Sequence, residues 1–138
     1  MIPIAVTLAL IFLILGGLHF YWAIFGIQNP ERVYPSKKDG NPLGYTPGKF
    51  ASSLVGVVLL LFGLLFLNPV LSLFVFPLEF YVLMGIGILF LLRGIGDFKY
   101  LGLFKTVRET SFAKMDTRFY TPLCFCIAGM VFALLVLY

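Results

Sequence analysis

Residues Ile2 to Ile27 contain no Asp, Glu, Lys or Arg, and no other feature restricts the fold as much. About 20 successive apolar residues cross the hydrocarbon core of a bilayer as a helix, and a run of this kind has no stable place on a soluble surface. It lacks a basic start, is too long for a signal-peptide core, and no small-residue cleavage site follows it, so it reads as a retained first span. Composition agrees: the chain is 61% hydrophobic and 12% charged, where a soluble domain carries roughly a quarter charged residues. An ordinary water-soluble globule is excluded.

Proline and charge divide the rest. Pro30, Pro35, Pro42 and Pro47 make 28–48 a loop, since helix interiors reject proline. A second span over about 47–67 is expected to stop at Asn68-Pro69, a third over about 78–97 holds Glu79 near its start, and a fourth runs over about 122–138. The expected fold is an all-α integral membrane four-helix bundle in a single transmembrane domain. The basic residues sit in two blocks, Arg32, Lys37, Lys38 and Lys49 in the first, and Arg93, Lys99, Lys105, Arg108, Lys114 and Arg118 in the second. Both blocks then lie on one side, which the positive-inside rule makes cytoplasmic, with both termini extracytoplasmic. Phe98, Leu101, Phe104, Val107 and Phe112 recur among these cations, a pattern that suits an amphipathic helix lying on the anionic inner leaflet between spans three and four.

Two motifs, Tyr45-Thr46-Pro47-x-x-Phe50 and Tyr120-Thr121-Pro122-x-x-Phe125, open spans two and four. They fit parallel repeats about an axis normal to the membrane. They fit equally a recurrent helix start, Thr as cap with Pro in the first turn. Small residues share faces: Gly16, Ala23 and Gly26 with His19 on span one, Ser52, Gly56 and Gly63 on span two, Cys126, Gly129 and Ala133 on span four. Such faces let membrane helices approach closely and mark the interior or an oligomer contact. Cys124 and Cys126 point roughly 200° apart on a helix and cannot bridge each other.

Candidate site residues follow from cost. An ionised side chain at mid-span costs about 2.5–3.5 kcal/mol on insertion scales, so it needs a partner or a wet cavity. His19, the only histidine, and Arg93 and Asp97 all fall in the inner half of the membrane. Arg93 and Asp97 are four apart and can pair along one helix, although Arg before Asp is the weaker order and a carboxylate at a helix C-terminus opposes the dipole. Either they lock helices together and His19 satisfies a carbonyl, or the three line a cytoplasm-facing polar pocket. Trp22 and the tyrosines Tyr21, Tyr34, Tyr45, Tyr100 and Tyr120 read as an interfacial belt or a ligand cage. Asp116 reads as an interfacial or capping acid, and Glu79 as an exposed acid at a helix start. A Cys-x-x-Cys pair, a carboxylate in span one, a cluster of metal ligands and a Gly-rich phosphate loop are all missing from the sequence, and no cofactor is expected.

The segments Gly16-Gly-Leu-His-Phe-Tyr-Trp-Ala23, Arg93-Gly-Ile-Gly-Asp-Phe98 and Phe112-Ala-Lys-Met-Asp-Thr-Arg-Phe-Tyr-Thr-Pro-Leu123 together resemble a family of small bacterial four-span membrane proteins known as domain of unknown function 3995. The resemblance covers nearly the whole chain. It implies a bacterial plasma membrane and a complete single-domain protein, carries no activity, and points to His19, Trp22, Arg93, Asp97 and Asp116.

The leading expectation is a non-enzymatic membrane protein that binds, and in a homodimer transports, a small amphiphile or lipid. Arg93 would hold an anionic group, His19 and Asp97 would supply hydrogen bonds or a proton relay, and Trp22 would pack the apolar part. The alternatives are an enzyme on a lipophilic substrate with His19 and Asp97 or Asp116 in acid–base roles, and an accessory or immunity-like partner of another membrane protein. Membrane lipids are the expected partners in every case, and nucleic acid is not one.

Overall fold

The structure is a computed structural model that describes residues 1–44 and 47–138. Tyr45 and Thr46, and with them the first copy of the repeated motif, lie outside the described residues. The elements are α1 (Ile2–Phe25), α2 (Pro30–Val33), α3 (Lys49–Leu71), α4 (Glu79–Ile95), α5 (Ser111–Met115), a π-helical turn (Asp116–Tyr120) and α6 (Thr121–Val136). The described residues form no strand; one isolated bridge joins Ser36 and Pro42. Among the described residues three helical stretches are long and apolar enough to cross a membrane: Ile2–Phe25, Lys49–Leu71 and Ser111–Val136. α4 has 17 residues, about 25 Å at 1.5 Å per residue and at the lower bound for a span.

The chain divides into two compact units. The first holds residues 1–27, 47–86 and 130–138 and is built on α1 and α3. These two run antiparallel, since Gly63 of α3 approaches Ala9 and Leu13 while Gly56 approaches Gly16 and Phe20. A methyl group on Gly16 would sit 3.2 Å from the Gly56 carbonyl oxygen and 2.9 Å from Leu60. In lipid the apolar tails compete equally for apolar side chains, so close backbone approach over small residues supplies the packing that holds such helices together. Beside the glycines, the fully buried Phe12 and Phe66 rings stack at 5.4 Å, and Phe62 meets Phe12 edge-on at 5.6 Å. The small face on α6 is different: Cys126, Gly129 and Ala133 are exposed, and Cys124, Ile127, Ala128, Val131 and Leu134 are buried instead.

α3 continues through Asn68-Pro69 to Leu71. A proline removes one N–H and crowds one carbonyl, and in a last turn that cost is small enough for the helix to run on. Asn68 then closes the following loop, its Nδ2 donating to the Phe74 carbonyl at 3.1 Å and its Oδ1 accepting from the Phe74 N–H at 3.0 Å. Glu79 is not an exposed acid. It is 8% exposed, and its carboxylate accepts from Asn68 Nδ2 at 3.0 Å and from the Tyr138 hydroxyl at 2.6 Å.

The second unit holds residues 28–46 and 87–129. Between α4 and α5 the chain is not an amphipathic helix, as the apolar recurrence suggested, but a tight succession of turns. Three residues account for this. Gly96 ends α4 at φ 86° and Gly102 sits at φ 83°, the left-handed region that glycine enters without steric cost. Asp97 Oδ1 then accepts three successive N–H groups, from Lys99, Tyr100 and Leu101 at 2.9, 2.7 and 2.9 Å, which supplies a local alternative to the helical ladder. Helix resumes after Thr110, whose Oγ1 caps the Ala113 N–H at 3.1 Å, well before the expected Thr121-Pro122 start. Pro122 falls inside that helical stretch. It has no N–H to offer the Arg118 carbonyl and its ring would crowd that oxygen, and the preceding turn widens to a π-helix in which the Thr121 N–H reaches the Asp116 carbonyl.

Candidate functional site

The π-turn places Asp116 at the centre of a charged cluster. Its side chain is fully buried, and Oδ1 accepts from Arg93 Nη2 at 2.8 Å. Oδ2 accepts from the Gly102 N–H at 2.8 Å and faces Lys105 Nζ at 3.2 Å. Lys105 is only 2% exposed, and its remaining contacts go to the Gly102 carbonyl at 3.0 Å and Thr117 Oγ1 at 2.6 Å. All three ammonium donors are therefore committed. Two cations share one carboxylate, so the cluster keeps one positive charge.

Arg93 is the incompletely satisfied member. Its side chain is 30% exposed, yet Nη1 is shielded from solvent and has no hydrogen-bond partner. Thr121, one π-turn beyond Asp116, is 3% exposed, and its Oγ1 also lacks a partner. A buried polar group without a partner costs about 1–3 kcal/mol, more when it is charged. Native structures keep few such groups, and π-turns recur at functional sites.

The Arg93–Asp97 pair weighed from helical spacing does not form, because α4 stops before Asp97 and that carboxylate turns onto the loop backbone. Partial burial raises the Asp97 pKa, but the Leu101, Lys99 and Tyr100 amides outweigh it and hold the carboxyl below its ordinary 3.8. A carboxylate with a lowered folded-state pKa stabilises the loop above its unfolded-state value, and this contribution is lost as pH falls through the folded-state value. Amide protection at residues 99–101 is expected to persist at pH 5 and to collapse only below about 3.8, the ordinary aspartate value. Hydrogen-exchange mass spectrometry, corrected for intrinsic rates, checks this; loss of protection already at pH 5 would contradict it.

His19 and Trp22 lie in the first unit, and Arg93, Asp97 and Asp116 in the second. His19 Nδ1 lies 2.8 Å from the Leu15 carbonyl of its own helix. A carbonyl only accepts, so Nδ1 carries the proton and the neutral ring keeps Nε2 as an acceptor. Trp22 meets the imidazole edge at 5.1 Å. Tyr120 donates to the Arg32 carbonyl at 2.9 Å, and its ring lies 5.8 Å from that of Phe112.

Lys105 went unrecognised in the sequence, where it is one cation in a basic stretch. The tight Gly96–Gly102 spacing around Asp97 was the available sign that this stretch folds back on itself. Among the described residues no three His, Cys, Asp or Glu side chains gather as a metal site.

These elements define an all-helical protein with three membrane-capable helices and a buried Arg–Asp–Lys cluster. The family model described as protein of unknown function (DUF3995) matches residues 12–132, and the chain belongs to that family. No curated protein and no solved structure matches the chain.

Proposed function

We propose that the protein crosses the bacterial plasma membrane four times with both termini outside, and binds a small amphiphile or lipid whose anionic group meets Arg93 in the inner half of the membrane. α4 supplies the fourth span in this reading, lengthened towards membrane thickness by the apolar residues 74–78 that precede it. The observation that carries the proposal is the charge balance of the buried cluster. Arg93 and Lys105 share the single charge of Asp116, which leaves one positive charge uncompensated, and of the two cations Arg93 is the one that is part-exposed and has a guanidinium nitrogen without a partner. A monoanionic head group balances that charge; an acceptor at the exposed edge of Arg93 lets the guanidinium turn and use both of its arms. Thr121 Oγ1 adds a hydroxyl donor of the same unit. Transport would need a homodimer or a membrane-protein partner, for which the outward small face of α6 is suited.

Binding is preferred to catalysis because of the carboxylates. Asp97 is occupied by three backbone amides and Asp116 by two cations and an amide, so neither is left for acid–base work with His19.

Native mass spectrometry of protein gently extracted from its own membrane, beside Arg93→Ala, tests the reading. Removing Arg93 leaves Asp116 with Lys105 and the Gly102 amide, so the fold is expected to survive. The wild type is expected to retain one defined anionic lipid or metabolite that the variant loses. Identical bulk phospholipid on both forms would remove the support for a ligand at Arg93.

A further inference from the structure

The loop between α4 and α5 holds two large rings outward where a folded chain has every means to hide them. Phe98 is 61% exposed and Phe104 54% exposed, and the rings stack at 6.1 Å with 28° between their planes. Leu103, beside them, is 49% exposed. The display is rigid. Asp97 ties down residues 99–101, the Leu103 N–H reaches the Gly94 carbonyl at 2.8 Å, and Lys99 O accepts from both Thr106 and Val107. Gly96 and Gly102 approach so closely that a Cβ on either would overlap the other strand of the loop. Phe98 itself stands at φ 65°, a conformation that costs a bulky residue energy and persists only where the surroundings enforce it.

We infer that residues 96–104 form an apolar knuckle that docks into the headgroup and acyl boundary of an anionic lipid leaflet. Two observations select a lipid surface. The loop joins α4 directly to the membrane-capable stretch Ser111–Val136, so it emerges at bilayer level. Its exposed charge favours an anionic leaflet: Lys99 lies over the Tyr100 ring at 5.2 Å and Arg108 donates to the Leu103 carbonyl at 3.2 Å. Asp97 and Glu109 are exposed too and offset these two charges, and the positive surplus comes from Lys38, Lys114 and Arg118, exposed in the same unit, Lys38 beside Arg108 and Glu109 in a groove of about 440 Å³. An apolar tip on a unit with surplus exposed positive charge sinks about 5–10 Å into the interface. The knuckle carries Gly102 and runs directly into Lys105, two of the three partners of Asp116, so its docking fixes the Arg93 cluster at head-group depth.

The test uses the full chain with Trp22→Phe, which leaves no native tryptophan, and Phe104→Trp as reporter. Leu103→Trp, which keeps both stacked rings, is the second reporter should the first disturb the loop. Each is reconstituted in phosphatidylcholine vesicles with and without phosphatidylglycerol. Bromine on shallow acyl positions is expected to remove half or more of the reporter emission, aqueous iodide to leave it nearly unchanged, and phosphatidylglycerol to deepen the bromine effect. Lys99→Glu with Arg108→Glu is expected to abolish that deepening. Strong iodide quenching, shielding from both quenchers by a protein partner, or bromine quenching indifferent to phosphatidylglycerol would each overturn the inference. None of these readouts depends on whether Arg93 holds a ligand.

Discussion

Asp116→Ala is expected to lower the stability of the protein by about 3–5 kcal/mol, because removing one partner of a buried ion pair strands the charges that faced it. Here two cations are stranded at once. Lys105, 2% exposed, keeps only the Gly102 carbonyl and Thr117 Oγ1, and Arg93 loses its one hydrogen-bonded carboxylate. The Gly102 N–H loses its acceptor as well. Asp116→Asn keeps the shape and one acceptor oxygen but not the charge, and should fall between the wild type and Asp116→Ala. Coupling can be isolated: Lys105→Met added to Asp116→Leu removes a stranded cation together with its partner, and should recover part of the loss, since paired charges replaced by apolar groups of similar volume are often tolerated. Thermal unfolding in one detergent, followed by circular dichroism at fixed pH and salt, reads all five proteins, the wild type, Asp116→Ala, Asp116→Asn, Asp116→Leu and the double variant. A Asp116→Ala variant within about 1 kcal/mol of the wild type, the worth of an exposed pair, would show that the cluster is not buried as described.

The cost of charge in lipid made Arg93 legible before any coordinates, since a cation inside an apolar run must find something. Its partner was not legible. Helical spacing offers Asp97, four residues on, whereas the structure uses Asp116, 23 residues away, and a contact at that separation depends on how the 96–110 turns fold back. Those turns were misread because an apolar recurrence at roughly helical spacing looks the same whether or not Gly96, Asp97 and Gly102 interrupt it. Phe112 illustrates the consequence: counted with the leaflet-facing residues, it is 3% exposed and packs near Tyr120. Lys105 shows the opposite error, a charged residue in a basic stretch that the fold buries. By contrast, the α1–α3 pair was readable from Gly16, Gly56 and Gly63, because close approach needs small residues at helical spacing and nothing else. On α6 the small face, Cys126, Gly129 and Ala133, is exposed, so of the two roles such a face suggests it does not serve as interior of the described chain.

Gly102→Ala should lose far more stability than Gly40→Ala, although the two glycines share nearly the same backbone conformation, φ 83° and φ 84°. A side chain forced into this region costs about 1–2 kcal/mol in either position. Space separates them. Nothing lies within 4 Å of a Cβ built on Gly40, whereas one on Gly102 overlaps the Ile95 carbonyl, which is backbone and cannot rotate away. Relief requires the 96–110 turns to part from the end of α4, and overpacking of this kind typically adds about 1–3 kcal/mol. The displaced Gly102 amide and carbonyl are also the ones that hold Asp116 and Lys105, so the damage should spread to the charged cluster. Gly40→Ala is therefore expected to stay within about 2 kcal/mol of the wild type and Gly102→Ala to fall about 2–5 kcal/mol below it. Parallel chemical unfolding in detergent micelles measures both. Equal losses would mean that conformational strain alone accounts for Gly102, and that the close crossing of the loop over α4 does not persist in solution.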